Sequence, residues 1–143
     1  MTSDRLARDY LRRARARRRA LDTLYAEAAH ADVVRESQEV VELVLKGALR
    51  FIGVDPPKRH DVRGTLARFI ERLPDEWRTA MQEIEEASAG LARDRAHAFY
   101  GDEEALVPAS ELFVETDARA ALAVVDRLLA LYERLLAAEG DRA

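Results

Sequence analysis

Apolar side chains recur three and four residues apart through four long stretches of this chain. The punctuation between them is sparse: four prolines and six glycines in 143 residues. That spacing puts one apolar stripe on each of a set of helices. Alanine, leucine, arginine and glutamate dominate the stretches, and all four favour the helix. No alternating pattern suggests a strand.

The first helix is expected from Ser3 to Ala29, capped by Ser3 or Asp4, with Leu6, Tyr10, Ala14, Leu21 and Ala28 inward. The second is expected from Asp32 to Phe51 on a stripe of Val34, Ser37, Val41 and Ala48. Gly53 supplies the left-handed stop and Pro56-Pro57 forbids continuation. A short third helix is expected from Asp61 to Leu73, with Asp61 as cap and Pro74 as terminator. A fourth is expected from Asp75 to Phe99, closed by Gly101. After a loop over Gly101–Glu115, a fifth runs from Asp117 to Ala138 behind a cap at Thr116, and the tail Gly140–Ala143 is expected to fray. The pattern predicts an all-α fold: one domain over residues 1–143, an antiparallel four-helix up-and-down bundle with one short extra helix. The fifth helix is apolar on more than one face, through Leu122, Val124, Leu128, Leu131 and Leu135. The surplus points to a homodimer contact, or else to two neighbours within the chain.

Charge is unevenly placed. Residues 1–20 hold eight arginines against two aspartates, a net +6, while the other 123 residues hold 15 basic and 25 acidic side chains, a net −10. Such an arm either binds phosphate backbones or lies against an acidic face of the same molecule or of a twin. Arg12, Arg13, Arg15 and Arg19 are the candidate anion contacts.

The exclusions are firm for thiol chemistry, because cysteine is absent. The three histidines, His30, His60 and His97, lie far apart, so no metal site is expected. No phosphate-binding glycine loop or nucleophile elbow occurs, and no cofactor is implied. No apolar run approaches the ~20 residues of a membrane span, and the basic start lacks the apolar core of a secretory signal. A soluble, cytoplasmic protein is expected.

Three constellations carry chemistry. Gln38, Glu42 and Lys46 are four apart, so they form a row beside the apolar stripe of the second helix. The row is either a surface ion pair or a half-buried brace lining a ligand cleft. His60 beside Asp61 is either an ordinary loop residue or a titratable group at a cleft rim. Arg93 and His97, also four apart, share a face near Tyr100. A cation that holds phosphate next to an imidazole that moves a proton suffices for metal-independent RNA cleavage, since the 2′-hydroxyl is an internal nucleophile. The plain alternative is a helix C-terminus carrying cations that its dipole favours. Arg95 is expected part buried and paired, with Asp102 or Glu103.

These segments together resemble the HEPN domain family. Gln38, Glu42 and Lys46 match a helix that members write as Gln-x-x-x-Glu-x-x-x-Lys. Gly53-Val54-Asp55-Pro56 and His60-Asp61 match the turn and the His-Asp pair that follow. Arg95-Ala96-His97-Ala98-Phe99-Tyr100-Gly101-Asp102-Glu103 and the helix from Thr116 resemble a prokaryotic branch associated with minimal nucleotidyltransferases. The resemblance covers about residues 4–137 and implies a homodimeric helical bundle. It also implies a minimal nucleotidyltransferase partner, in a toxin–antitoxin or nucleotide-handling pair, and binding of nucleotide or RNA through Gln38, Glu42, Lys46, His60, Arg95 and Asp102. Ribonuclease members have four to six residues between the arginine and the histidine; here only three separate Arg93 from His97. The leading expectation is therefore a binding module, with the ribonuclease reading of Arg93, His97 and Tyr100 second.

Overall fold

The computed structural model describes residues 2–140. The long helices are α1 (Thr2–Ala26), α2 (His30–Phe51), α4 (Asp75–Tyr100) and α6 (Glu115–Gly140); short helices α3 (Arg63–Arg68) and α5 (Ala109–Leu112) and a 3₁₀ turn at Ile70–Arg72 lie between them. Among the described residues there is no strand, only an isolated antiparallel bridge between Asp102 and Val107. The tail beyond Gly140 lies outside the described residues.

The helix bundle is organised around α2, which packs against α1, α6 and α4. Its apolar stripe explains this position: Val33, Val34, Val40, Val41, Val44, Leu45, Ala48 and Leu49 are all buried, which is more than one neighbour could cover. Contacts descend one helix as they climb the next. Arg15 reaches Glu133 at 3.1 Å and Arg18 reaches Asp126 at 2.6 Å, while Tyr25 reaches Glu115 at 2.6 Å. Between α4 and α6 the pairs are Glu76 with Arg134 and Glu83 with Arg127.

Tyr132 of α6 ties three helices together. Its ring is fully buried and lies on Gly47 of α2, and its hydroxyl donates to the Ala7 carbonyl of α1. A Cβ at Gly47 would come within 2.6 Å of Tyr132 Cζ, so the contact requires glycine there. Desolvation raises the Tyr132 phenol far above its ordinary pKa, leaving it a neutral donor. The surplus apolar face of α6 is used within the chain: Leu128, Leu129, Leu131, Leu135 and Leu136 are all buried here, and only Leu122 and Val124 stay half-exposed.

Helix ends differ from the expected ones for local reasons. α1 stops at Ala26 because Ala28 adopts a left-handed backbone, φ 57°, and Ala29 and Ala28 donate back to Leu24 and Tyr25 at 3.0 Å. This is a Schellman closure made without glycine, so no glycine marked it in the sequence. α1 begins at Thr2, which places Asp4 inside the first turn, paired with Arg8, instead of capping. The same closure ends α2 with the expected residue: Gly53, φ 82°, donates to Arg50 and Val54 donates to Leu49. The third helix is shorter than Asp61–Leu73. Near Phe69 the hydrogen bonds tighten, its N–H being shared between Thr65 and Leu66, and a 3₁₀ turn leads into Pro74. The Asp61 carboxylate does accept the Arg63 N–H, at 3.1 Å. Thr116 does not cap α6, which starts one residue earlier. The Asp117 carboxylate accepts the Val114 N–H at 2.8 Å, a cap read backwards from the third helical position. The loop before it holds the short helix α5, entered at Pro108.

Candidate functional site

The row on α2 is built as its spacing suggests. Gln38 is 4% exposed, wedged where α2 meets α4. Its Oε1 accepts the Nε of Arg95 at 3.2 Å, and Arg95 Nη2 pairs with Glu39 at 3.1 Å. Arg95 is thus part buried, but its partners are Gln38 and Glu39 of α2, not Asp102 or Glu103. A part-buried, charge-assisted contact of this kind is worth about 1 kcal/mol or somewhat more. One turn on, the Glu42 carboxylate takes Lys46 Nζ at 3.1 Å and His60 Nδ1 at 3.0 Å. Glu42 and Lys46 are largely buried, at 12% and 18% side-chain exposure, whereas the His60 ring is 57% exposed. A carboxylate at Nδ1 fixes a proton there and leaves Nε2 turned away from it.

Gln38, Glu42, Lys46, His60 and Arg95 therefore form one continuous polar strip running from α4 across α2 to the loop after it. Asp102 stands apart. Its carboxylate accepts the Ala105 N–H at 3.0 Å, and its backbone pairs with Val107 in both directions, at 2.8 and 3.0 Å. Asp102 closes a turn.

Arg93 and His97 share an outward face of α4, turned about 160° from Arg95 by helical geometry. Both are exposed, and neither side chain has a hydrogen-bond or ion-pair partner among the described residues. At the same end Phe99 and Tyr100 are 55% and 65% exposed and meet edge to face at 4.6 Å. The Arg35 guanidinium lies over the Phe99 ring at 4.6 Å. The helix therefore ends in two exposed aromatic rings, one of them under the Arg35 guanidinium, which also pairs with Glu36 at 2.9 Å. This feature was not read from the sequence, although the adjacent Phe99-Tyr100 before Gly101 was its signal.

The α1 arginines are mostly matched. Arg12 pairs with Asp9 and Arg15 with Glu133, while Arg13 covers the Tyr10 ring at 5.6 Å and Arg19 is exposed. Outside that set, Arg17 faces Glu36 at 3.6 Å and Arg18 holds Asp126 and Asp22. The Asp126 hydrogen bond raises Arg18 above its ordinary pKa. At the far end of α1, Tyr25 donates to Glu115, Arg119 donates to both, and the Tyr25 hydrogen bond holds the Glu115 carboxyl below its usual range. Tyr25 lies 90 and 94 residues from Glu115 and Arg119 in sequence, a link that no spacing rule detects.

Among the described residues no three His, Asp or Glu side chains gather as a metal site, and no helix is long and apolar enough to cross a membrane. The HEPN domain model matches residues 7–135, nearly the whole chain. This protein belongs to the HEPN family. HEPN domains are nucleotide-binding and ribonuclease-like modules that commonly dimerise. Neither the curated proteins nor the solved structures offer a match. In this HEPN domain the family match takes in both the polar strip and the aromatic end of α4.

Proposed function

We propose that this HEPN domain is a homodimeric binding module for nucleotide or RNA, acting in the cytoplasm beside a minimal nucleotidyltransferase in a toxin–antitoxin or nucleotide-handling pair. The observation that carries the reading is the end of α4, where Phe99 and Tyr100 are exposed, Arg35 (paired with Glu36) lies over the Phe99 ring, and the exposed Arg93 and His97 stand on the last two turns of the same helix. Open rings flanked by cations take bases by stacking, worth about 1–3 kcal/mol per base, and hold the phosphates between them. The strip of Gln38, Glu42, Lys46, His60 and Arg95 lines the approach, and Asp102 shapes the adjoining turn. Arg12, Arg13, Arg15 and Arg19 add a basic face whose exposed ion pairs cost little to exchange for phosphate. The reading takes the four long helices as an antiparallel up-and-down bundle, supported by the order of the contacts along α1, α4 and α6. Leu106, Leu112 and Val114, exposed beyond α4, supply apolar surface for a second copy.

The test is fluorescence anisotropy of a labelled short oligoribonucleotide, with AMP as competitor. Phe99→Ala with Tyr100→Ala should weaken binding about tenfold or more, in line with lost stacking. Unchanged affinity refutes the site, and a monomeric mass by light scattering at micromolar concentration refutes the dimer.

A second reading, ribonuclease activity, is favoured by the absence of any protein partner for Arg93 and His97 among the described residues. Arg93 would hold the phosphate oxygens while His97 takes the 2′-hydroxyl proton, the 2′-oxygen bonding to phosphorus as the 5′-oxygen leaves; Tyr100 lies nearby. Metal-independent cleavage of RNA, abolished by His97→Ala, would establish it.

A further inference from the structure

The bend after α2 carries three consecutive exposed residues, Lys58, Arg59 and His60, behind the stiff Pro56-Pro57 pair. Three carboxylates border this bend, Asp55, Asp61 and Glu42, and each is engaged by a cation outside Lys58 and Arg59. Asp55 is taken by Arg50 at 3.0 Å. Asp61 is gripped by Arg63, through Nε at 2.7 Å and the backbone N–H at 3.1 Å. Those Arg63 hydrogen bonds are the main reason the Asp61 carboxyl lies below its ordinary pKa, and Arg59 adds a weaker through-space pull. Glu42 is shared between Lys46 and the inner nitrogen of His60. Among the described residues Lys58 and Arg59 have no ion pair, and His60 is held by one nitrogen with the other turned away.

The contrast with α1 is instructive. That helix has the most arginines, but five of its eight sit in ion pairs with acids of α1, α2 and α6. The bend has fewer cations, but Lys58 and Arg59 stand there without an ion pair among the described residues, on a backbone that proline has stiffened. Adjacent donors on one short bend suit a compact oxyanion, whereas a long helical face suits an extended phosphate backbone.

We propose that Lys58, Arg59 and His60 form the seat of a terminal phosphate group, belonging to a mononucleotide or to the end of an RNA strand. This rests on the nucleotide- or RNA-binding reading above and adds where the phosphate sits. Glu42 is the positioning residue that aims His60.

The test compares 5′-phosphorylated and 5′-hydroxyl forms of one labelled oligouridylate on the full chain. AMP and inorganic phosphate serve as competitors. The wild type should prefer the phosphorylated form about tenfold, as two to three charge-assisted hydrogen bonds allow. Lys58→Gln with Arg59→Gln, both at exposed positions, should erase that preference and leave the 5′-hydroxyl oligomer bound within about twofold. Joint replacement of Arg12, Arg13, Arg15 and Arg19 by glutamine should weaken both oligomers alike and keep the preference. Displacement by AMP at lower concentration than by the phosphorylated oligomer assigns the seat to a mononucleotide; the reverse assigns it to an RNA end. A wild type that binds both oligomers equally, or a preference that survives the Lys58 and Arg59 changes, overturns the seat and leaves the binding reading standing. Failure of the wild type to bind either oligomer or AMP overturns both.

Discussion

Replacing Gly47 by alanine sets two effects against each other. In an open helix the change stabilises by about 0.8–1 kcal/mol, because alanine is the best helix former and glycine among the worst. Here the added methyl would stand 2.6 Å from Tyr132 Cζ and 3.2 Å from Cε1, with the hydroxyl nearer still. The ring cannot retreat cheaply, since it is fully buried and its hydroxyl is bound to the Ala7 carbonyl. Overpacking costs about 1–3 kcal/mol, and displacing the hydroxyl forfeits about 1 kcal/mol more. The net expectation is a loss of about 1–3 kcal/mol, read as a fall in urea midpoint at constant slope. Tyr132→Phe removes the closest atom, so the double variant should lose about 1 kcal/mol less than the sum of the single losses. A Gly47→Ala protein as stable as the wild type, or more so, would refute the three-helix junction.

Three further outcomes follow from burial and charge. Leu128→Ala should cost about 2–5 kcal/mol, since Leu128 is 2% exposed; a urea-melt loss below about 1 kcal/mol contradicts its place in the core. Ser37→Ala should stabilise by up to about 1 kcal/mol, because the Ser37 hydroxyl is buried with no hydrogen-bond partner; thermal melting that moves downward counts against this. Asp61 has a carboxyl pKa lower in the folded chain than in the unfolded one, so its contribution is full above the ordinary carboxylate range and fades as pH falls through the folded value. Denaturant midpoints taken between pH 6 and pH 2 should therefore fall less steeply for Asp61→Asn than for the wild type, and identical slopes would remove Asp61 from the acid response.

Periodicity located the long helices to within a few residues, and the Gly53 stop was legible because glycine serves there for its backbone freedom. Ala28 adopts a left-handed conformation without such a residue, so the end of α1 could not be read. The expected row of Gln38, Glu42 and Lys46 came from spacing within one helix, which a sequence records directly. Its link to Arg95, 57 residues from Gln38 along the chain, did not, because side-chain partners across helices depend on how the helices rotate against each other. Asp102 and Glu103, the expected partners of Arg95, are its neighbours in sequence, but they lie past the end of α4 in the turn that Asp102 closes with Val107. The double-faced α6 illustrates a further limit. A surplus of leucine looks the same whether it awaits another copy or, as for Leu128, Leu131 and Leu135, is covered by the chain's own helices.

The pairing of Arg15 with Glu133 and of Arg18 with Asp126 has a consequence for the order of synthesis. Both acids lie in α6, more than 100 residues after the arginines they neutralise. Until α6 is made, Arg15 and Arg18 lack these partners, and Arg18 has only Asp22 of its own helix. The closing of α6 onto α1 is thus also the moment at which Arg15 and Arg18 gain their inter-helix partners.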